Sequence, residues 1–243
     1  MPVLVHKDTP TQPLPFTSHG PRGGGKGEGG NHDFYPAFLN LKGKKVIVVG
    51  GGKVAERKIL TLLKVDADVT VISPTITKRI EVLKRRGRIR HISRTYRKGD
   101  QKNAFLVIAA TDSQDINKEV SQDAVCLVNV VDSPSLCNFI APSVVKRGPL
   151  TIAISTSGIS PGLSRTIRKE IEKLYGSQFT KYLDFLKKIR NRVMKEIPDC
   201  RKRAEFLKGI ASENMLKILR QKGFREVAQI LLKIESDILH KDR

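Results

Sequence analysis

The chain has few of the residues that build metal sites, disulfide frameworks and aromatic binding surfaces. Its 243 residues include no tryptophan, five histidines and three cysteines. Cys126, Cys137 and Cys200 are far apart and odd in number, which argues against a disulfide framework or a structural zinc site. Three of the histidines lie before Asp33, so we expect no histidine-rich metal site in the core. A reducing, cytoplasmic compartment is therefore predicted.

Long hydrophobic runs are also missing. The longest aliphatic segments, such as residues 46–49 and 105–110, are far too short to cross a bilayer. Residues 1–15 lack a charged segment followed by an apolar one, so we expect no secretory signal. The sequence therefore predicts a protein that does not enter the membrane.

Acidic residues are scarce relative to basic ones. The chain has 45 Lys and Arg against 24 Asp and Glu, a formal net charge of +21. Residues 1–33 hold as many acidic as basic side chains, so the excess belongs to the remainder. Such a field attracts polyanions, either nucleic acid or a small polycarboxylate. The few aromatic residues are scattered, which disfavours single-strand nucleic-acid binding, and a merely solvated basic surface stays open as the alternative.

Residues 1–33 differ from the remainder of the chain in composition and in the spacing of apolar residues. They are rich in glycine and proline and have no apolar period, so we predict a disordered tail. From Phe34 onward, short aliphatic runs alternate with amphipathic segments. We predict strands at residues 46–49, 69–72, 88–92, 105–110 and 126–131, with helices at 54–64, 76–86 and 114–124. This alternation is typical of an α/β, Rossmann-type parallel sheet with helices on both faces.

The alternation of predicted strands and helices ends after Phe139. Two further strands are predicted at residues 143–145 and 150–154, around a turn at 146–149. From residue 177 the apolar spacing predicts several amphipathic helices, with breaks at Pro198 and Gly223. A helical region therefore follows the predicted sheet.

A glycine motif lies between the first predicted strand and the first predicted helix. It reads Gly50-x-Gly52-x-x-Ala55, and this context is typical of a dinucleotide-binding loop. Gly50 would permit the tight turn, Gly52 the approach of a pyrophosphate, and Ala55 close helix packing. The phosphates would meet the free N–H groups of the helix. A glycine turn without a ligand is the alternative.

The acidic residue that usually binds the cofactor ribose is absent from the end of the second predicted strand. That segment is Ser73-Pro74-Thr75, whose hydroxyl groups could bind the ribose instead. No arginine follows immediately to bind a 2′-phosphate, which favours NAD over NADP.

Polar residues also follow the fourth and fifth predicted strands, where ligands of such sheets bind. Thr111 and Asn117 are candidate cofactor neighbours, although Thr111 or Asp112 could instead cap the next helix. Asp132 could accept a proton from a bound substrate. The alternative for Asp132 is an Asx turn before Pro134.

A third group of polar residues precedes a predicted helix in the second half of the chain. Ser155, Thr156 and Ser160 could bind a carboxylate at the helix N-terminus. Simple capping is the alternative, with Ser160 as the cap and Pro161 as the first helical residue.

Several motifs follow one another in the order and spacing of a known family. They are residues 38–45 (FLNLKGKK), 48–58 (VVGGGKVAERK), 109–112 (AATD), 129–132 (NVVD), 139–143 (FIAPS) and 155–161 (STSGISP). Over residues 34–210 the chain resembles the precorrin-2 dehydrogenase and sirohydrochlorin ferrochelatase family, which is also the N-terminal module of siroheme synthases. The tail of residues 1–33 and the last thirty residues depart from this resemblance.

The resemblance implies an organisation and an activity. It implies an NAD-binding Rossmann domain at residues 34–141, a dimerisation segment at 142–175 and a helical C-terminal domain at 176–243. The implied protein is a homodimer that oxidises precorrin-2 to sirohydrochlorin with NAD⁺. In some members the same cleft then inserts Fe²⁺, as a substrate, to give siroheme.

The resemblance also places the site residues. The important acid of the family falls on Asp132. The expected cofactor contacts are Gly50, Gly51, Gly52, Lys53, Val54, Ser73, Pro74, Thr75 and Thr111, and the candidate substrate contacts are Ser155, Thr156 and Ser160. No metal ligands are expected.

Two rival functions remain. One is an NAD-sensing regulator whose basic C-terminal region binds nucleic acid, although no helix-turn-helix pattern supports it. The other is a carrier that binds the tetrapyrrole without reacting. Formation of NADH from NAD⁺ when precorrin-2 is added would distinguish the enzyme from both rivals.

Overall fold

A computed structural model of the chain describes residues 34–241. The predicted disordered tail at residues 1–33 lies outside the described residues. The chain divides after Ile140 into two compact units, each of which is described by itself.

Between residues 34 and 140 the chain forms a five-stranded parallel sheet in the order β3-β2-β1-β4-β5. The strands are β1 (Lys45–Val49), β2 (Asp68–Ile72), β3 (Arg90–Ile92), β4 (Leu106–Ala109) and β5 (Leu127–Val130). The helices are α1 (Lys53–Leu63), α2 (Lys78–Arg85) and α3 (Gln114–Gln122), with a short 3-10 turn at Pro134–Leu136. The predicted Rossmann-type α/β class is confirmed.

Two apolar layers explain why the central strands are continuous hydrophobic runs. Val46 and Val48 of β1 point into one layer, together with Ile59 of α1. Ile47 and Val49 point into the other layer, because successive strand side chains alternate between faces. A strand that is buried on both faces needs apolar side chains at every position, because neither face contacts water. The core therefore lies on both sides of the sheet.

The register brings the carboxyl ends of four strands to one level. Val49 of β1 pairs with Ile72 of β2 and with Ala109 of β4, and Ala109 pairs with Val130 of β5. The strand order reverses between β1 and β4, and such a switch point opens a crevice beyond the strand ends. Residues 50–52, 73–75, 110–111 and 131–132 all follow these ends.

The outer edge of β5 is covered by the chain that returns from the 3-10 turn. The Val128 N–H donates to Asn138 Oδ1 at 2.6 Å, and the N–H groups of Asn138 and Phe139 donate to the Val128 carbonyl, each at 3.2 Å. The Val130 N–H donates to Cys137 Sγ at 3.1 Å. These bonds satisfy an edge that would otherwise be open to pairing with another strand.

Residues 141–241 form a small antiparallel pair followed by helices. The strands are β6 (Ser143–Arg147) and β7 (Leu150–Ile154), and Gly148 takes a positive φ in the turn between them. The helices are α4 (Pro161–Leu174), α5 (Gln178–Glu196), α6 (Cys200–Ile210), α7 (Glu213–Lys222) and α8 (Phe224–Lys241). The predicted breaks at Pro198 and Gly223 fall between helices. The finer division at residue 175 stays a prediction.

Side chains of the helical unit converge on a core of their own. It includes Phe179, Ile189, Leu219 and Leu231, each of which is almost fully buried. Arg147 fastens the strand pair to the end of α4, because its Nε donates to the Tyr175 carbonyl at 2.7 Å. Among residues 34–241, no helix is long and apolar enough to cross a membrane.

Candidate active site at the carboxyl edge of the parallel sheet

The first two glycines of the loop after β1 are held between the ends of β2 and β4. A Cβ on Gly50 would collide with the carbonyl of Ala110, and a Cβ on Gly51 would collide with that of Thr75. Gly50 also has a φ of +119°, which side chains rarely adopt. The Gly50 N–H donates to the Ile72 carbonyl at 2.9 Å. Only glycine fits both positions.

The third glycine faces open space. A Cβ on Gly52 would meet nothing within 4 Å, and Gly52 is the N-cap of α1 without any side-chain cap. By contrast, α2 and α3 are capped by the hydroxyl groups of Thr77 and Ser113. The first N–H groups of α1 are therefore free of a protein cap beside an exposed surface. That arrangement fits a phosphate group.

Lys53 and Val54 occupy the first turn of α1 and are exposed. Lys53 Nζ lies 4.0 Å from Glu56 Oε2, and the Lys53 side chain is 87% exposed. Glu56 itself is buried and accepts a hydrogen bond of 2.5 Å from the Thr77 hydroxyl. This acid is therefore used within the fold, and it does not replace the missing ribose-binding acid.

The segment after β2 is fastened to the glycine loop. The Thr77 N–H donates to the Gly51 carbonyl at 3.1 Å. Ser73 is buried, and its hydroxyl donates to the Thr75 carbonyl at 2.7 Å. Pro74 and Thr75 are exposed. Of the two predicted ribose hydroxyls, the Thr75 hydroxyl is thus the accessible one.

The turn after β4 does not form the capping alternative that the sequence left open. The N-cap of α3 is Ser113, whose Oγ accepts from the Ile116 N–H at 3.3 Å, so neither Thr111 nor Asp112 is the cap. The Thr111 hydroxyl instead donates to Asn117 Oδ1 at 2.8 Å. Asn117 Nδ2 returns a bond to the Thr111 carbonyl at 2.9 Å. These two residues clamp the turn beside the glycine loop.

Asp132 follows β5 and is exposed, with a φ of +59°. A positive φ is uncommon outside glycine, although Asp tolerates it better than most residues. Within residues 34–241 the structure gives its carboxylate no hydrogen bond and no ion pair. The alternative, an Asx turn before Pro134, is therefore not formed. The carboxylate is open to solvent at the same sheet edge as the glycine loop.

Three residues near Asp132, namely Lys58, Asn129 and Cys137, were not predicted as site residues. Lys58 of α1 places Nζ 3.4 Å from Oδ1 of Asn129, a buried amide on β5. Burial, followed by the charge of Arg57, lowers the pKa of Lys58, whereas Cys137 and Asp132 act in the opposite direction. An amide within the apolar strand sequence Leu-Val-Asn-Val is the signal that could have revealed this cluster.

The predicted substrate contacts of the second unit form a turn of their own. Ser155 Oγ accepts from the Ser157 N–H at 3.1 Å, and Thr156 Oγ1 accepts from the Ser160 N–H at 3.1 Å. Ser160 Oγ accepts from the Leu163 N–H at 3.2 Å, so Ser160 caps α4. Capping is the alternative that the structure shows for Ser160. Substrate binding by Ser155, Thr156 and Ser160 stays a prediction.

Comparison with known proteins places the chain in a family. Residues 37–143 match the model of putative NAD(P)-binding domains, and residues 147–174 match the model of the central region of sirohaem biosynthesis proteins. The solved structure of SirC, a precorrin-2 dehydrogenase, superposes with a TM-score of 0.72 at 32% identity, over 82% of this chain and 100% of that one. This chain belongs to the precorrin-2 dehydrogenase family.

Longer proteins are also similar to this chain. The siroheme synthase of Thioalkalivibrio sulfidiphilus is 42% identical over 177 residues, which is 72% of this chain and 36% of that protein. The siroheme synthase of Methylobacillus flagellatus is 36% identical over 203 residues, which is 81% of this chain and 44% of that protein. The chain thus spans less than half the length of these synthases. The match to NAD(P)-binding domains and to a precorrin-2 dehydrogenase supports a nicotinamide cofactor.

Proposed function

We propose that this chain is an NAD-dependent precorrin-2 dehydrogenase that produces sirohydrochlorin. One observation carries the proposal. An uncapped helix N-terminus at Gly52 and an unpaired carboxylate at Asp132 lie at the same carboxyl edge of one parallel sheet. The first suits a dinucleotide phosphate, and the second suits removal of a proton from a substrate held beside the cofactor.

The glycine loop and the first turn of α1 hold the cofactor. The main-chain N–H groups of Lys53 and Val54 bind the pyrophosphate, and Gly50 and Gly51 keep the loop close to β2 and β4. Thr75 offers its exposed hydroxyl to the ribose. The absence of a cationic side chain from residues 73–75 supports NAD over NADP.

Oxidation of precorrin-2 removes a hydride and a proton. NAD⁺ supplies the hydride acceptor when it is bound. Asp132 accepts the proton, for which its carboxylate is free because it makes no bond within the described residues. The products are sirohydrochlorin, NADH and one proton that Asp132 releases to solvent. The net charge of +21 favours collection of a polycarboxylate tetrapyrrole.

Insertion of Fe²⁺ into sirohydrochlorin is the second candidate activity, and iron is then a substrate. It needs a base that removes pyrrole N–H protons, and the exposed Asp132 carboxylate meets that need. The relatives described above are siroheme synthases and a precorrin-2 dehydrogenase, so nothing in them supports the NAD-sensing regulator.

Apolar side chains on the surface of the second unit support a homodimer. Val144, Ile159, Leu163 and Leu174 are 42%, 79%, 52% and 54% exposed. All four lie within residues 142–175, the segment that the resemblance assigns to dimerisation. Sedimentation equilibrium would measure the oligomeric state. The cytoplasmic location is a separate prediction that follows from the cysteine content.

The test is NADH formation from NAD⁺ and anaerobically generated precorrin-2, followed by absorbance. The wild-type chain is expected to form NADH, and Asp132→Asn is expected to lose about 100-fold or more in kcat, the usual range for a general base. Asp112→Asn, an exposed acid after β4, serves as the matched control. Addition of Fe²⁺ tests the second activity. If the chain binds precorrin-2 but forms no NADH, the enzyme hypothesis fails and the carrier hypothesis remains.

A further inference from the structure

Lys58 connects the helix that starts at the glycine loop with the strand that leads to Asp132. It lies in the second turn of α1, and its Nζ is 3.4 Å from Oδ1 of Asn129 on β5. The two residues are 71 positions apart in the sequence. The contact therefore spans the sheet surface from the cofactor side to the Asp132 side.

Asn129 is the hub of this contact. Val128 and Val130 pack on one face of the sheet, and Asn129 points to the other face, where it is 8% exposed. Its Nδ2 donates to the Phe139 carbonyl at 3.0 Å and lies 3.7 Å from Cys137 Sγ. Because the carbonyl of Phe139 can only accept, the amide orientation leaves Oδ1 toward Lys58. A buried amide needs such a donor.

The same bonds hold both ends of the loop that carries Asp132. Phe139 and Cys137 follow the loop, and Asn129 precedes it. Cys137 Sγ also accepts from the Val130 N–H at 3.1 Å and donates to the Ser133 carbonyl at 3.3 Å. Asp132 therefore takes its positive φ inside a loop that Asn129 and Cys137 fasten on each side.

The electrostatic surroundings of Lys58 point the same way. Burial lowers the pKa of Lys58 most, and Arg57, the preceding residue on α1, lowers it further. Cys137 and Asp132 act in the opposite direction, which is consistent with a position of Lys58 near the loop that carries both residues.

We propose that Lys58 is a positioning residue of the Asp132 site: its ammonium group holds Asn129, which fastens the loop that carries Asp132. Lys58 acts through Asn129, without touching the reacting atoms. The kinetic consequences rest on the proposed dehydrogenase function, whereas the contact between Lys58 and Asn129 does not. A lysine whose stem merely covers apolar surface would also stabilise the fold, but its replacement would not lower kcat while leaving KM unchanged.

The kinetic test compares Lys58→Met and Lys58→Arg with the matched control Lys64→Met, an exposed lysine at the end of α1. Lys58→Met is expected to lower kcat about 10- to 100-fold through misplacement of the base, with KM for NAD⁺ within about two-fold of the wild type. Lys58→Arg should restore most of the lost kcat, and Lys64→Met should change neither kcat nor KM.

A second measurement needs neither activity nor a Lys58 variant. The amine reactivity of Lys58 toward trace acetic anhydride is followed against pH by peptide mass spectrometry, with Lys64 as the internal standard. In Asp132→Asn the reactivity midpoint of Lys58 should move to lower pH, because a charge that raises its pKa is removed. The folded state of each variant is checked by circular dichroism.

The two measurements separate the possible failures. An unchanged Lys58 midpoint in Asp132→Asn would show that Lys58 does not lie near the Asp132 loop and would overturn the proposal, and so would a folded Lys58→Met with wild-type kcat. If the wild type forms no NADH while the midpoint moves as expected, the proposed function fails and the place of Lys58 beside the loop stands. If Lys58→Met does not fold, the labelling result and the kcat of Lys58→Arg decide.

Discussion

Gly52 allows cofactor binding to be separated from folding. Its φ of −79° and ψ of −171° suit any residue, and a Cβ there meets no atom within 4 Å. Gly52→Ala therefore introduces no clash. Alanine is a poorer N-cap than glycine by about 0.5 to 1 kcal/mol. It also reduces the entropy of the unfolded chain, which stabilises by about 0.4 to 1 kcal/mol. The two effects nearly cancel, so the free energy of unfolding should change by less than about 1 kcal/mol.

If the pyrophosphate binds at Gly52 as proposed, the same methyl group occupies space that it needs. We expect NAD⁺ to bind about 100-fold more weakly to Gly52→Ala, a loss of about 2.7 kcal/mol. At an NAD⁺ concentration of 100 times the wild-type Kd, the wild type gains about 2.7 kcal/mol of stability and the variant about 0.4 kcal/mol. Urea unfolding with and without NAD⁺ measures both values, and titration calorimetry gives the Kd directly.

Gly50→Ala is the contrasting variant. Its Cβ would collide with the Ala110 carbonyl at a positive φ, so it should lose about 2 kcal/mol or more of stability even without NAD⁺. Gly52→Ala with wild-type NAD⁺ affinity would refute the placement of the pyrophosphate at Gly52. A Gly52→Ala chain that is as unstable as Gly50→Ala would refute the open space on which the reasoning depends.

Three further predictions concern pH, charge and capping. Hydrogen bonds from Arg94 hold the pKa of Asp100 below 3.8, so this pair stabilises above about pH 4 and the contribution fades as pH falls; Asp100→Asn should flatten acid unfolding between pH 5 and 2. Arg192→Met removes the partner of buried Glu235. It should cost about 1 to 2 kcal/mol at pH 7, and less at pH 5 in urea unfolding, because burial raises the pKa of Glu235. Ser160→Ala should lose about 1 kcal/mol of stability, and a raised KM for precorrin-2 would add substrate contact to its capping role.

Local signals were enough to predict most elements of the sheet. Strands that are buried on both faces are uninterrupted apolar runs, and β1 and β4 were found on that basis within a residue or two of their ends. The start of α2 was predicted at Ile76 but lies at Lys78. The reason is that the Thr77 hydroxyl accepts from the Ile80 N–H, which makes Thr77 the cap. Which of several neighbouring hydroxyl residues becomes the N-cap depends on the contacts that hold the preceding chain, such as the bond from the Thr77 N–H to the Gly51 carbonyl.

The helix α3 begins at Gln114 as predicted, and the choice of its N-cap follows from the same physical effect. Thr111, Asp112 and Ser113 are all competent N-caps. Thr111 is used by Asn117, one turn into the helix, and Asp112 is exposed, which leaves Ser113 as the cap. Nothing in the local sequence ranks these three residues. The ranking comes from the contact between the turn after β4 and the glycine loop.

Asp132 shows where sequence reasoning reaches a residue but not its geometry. Its place after an apolar strand predicted that it would face the cleft, and the resemblance named it as the acid. Its left-handed backbone and its unpaired carboxylate depend on the bonds that Cys137 and Asn129 make around the loop. Those bonds form because β5 is the edge strand and its free side is covered by the returning chain.

The contact between Lys58 and Asn129 depends on that same edge. An amide on an inner strand would face a packed apolar layer on each side of the sheet, and its burial would cost free energy without a partner. On β5 the returning chain supplies a carbonyl and a sulfur atom to one end of the amide, and α1 supplies an ammonium group to the other. The strand that satisfies this amide is therefore also the strand that leads to Asp132. A folded Lys58→Met variant with the wild-type kcat would show that the amide contact does not position Asp132.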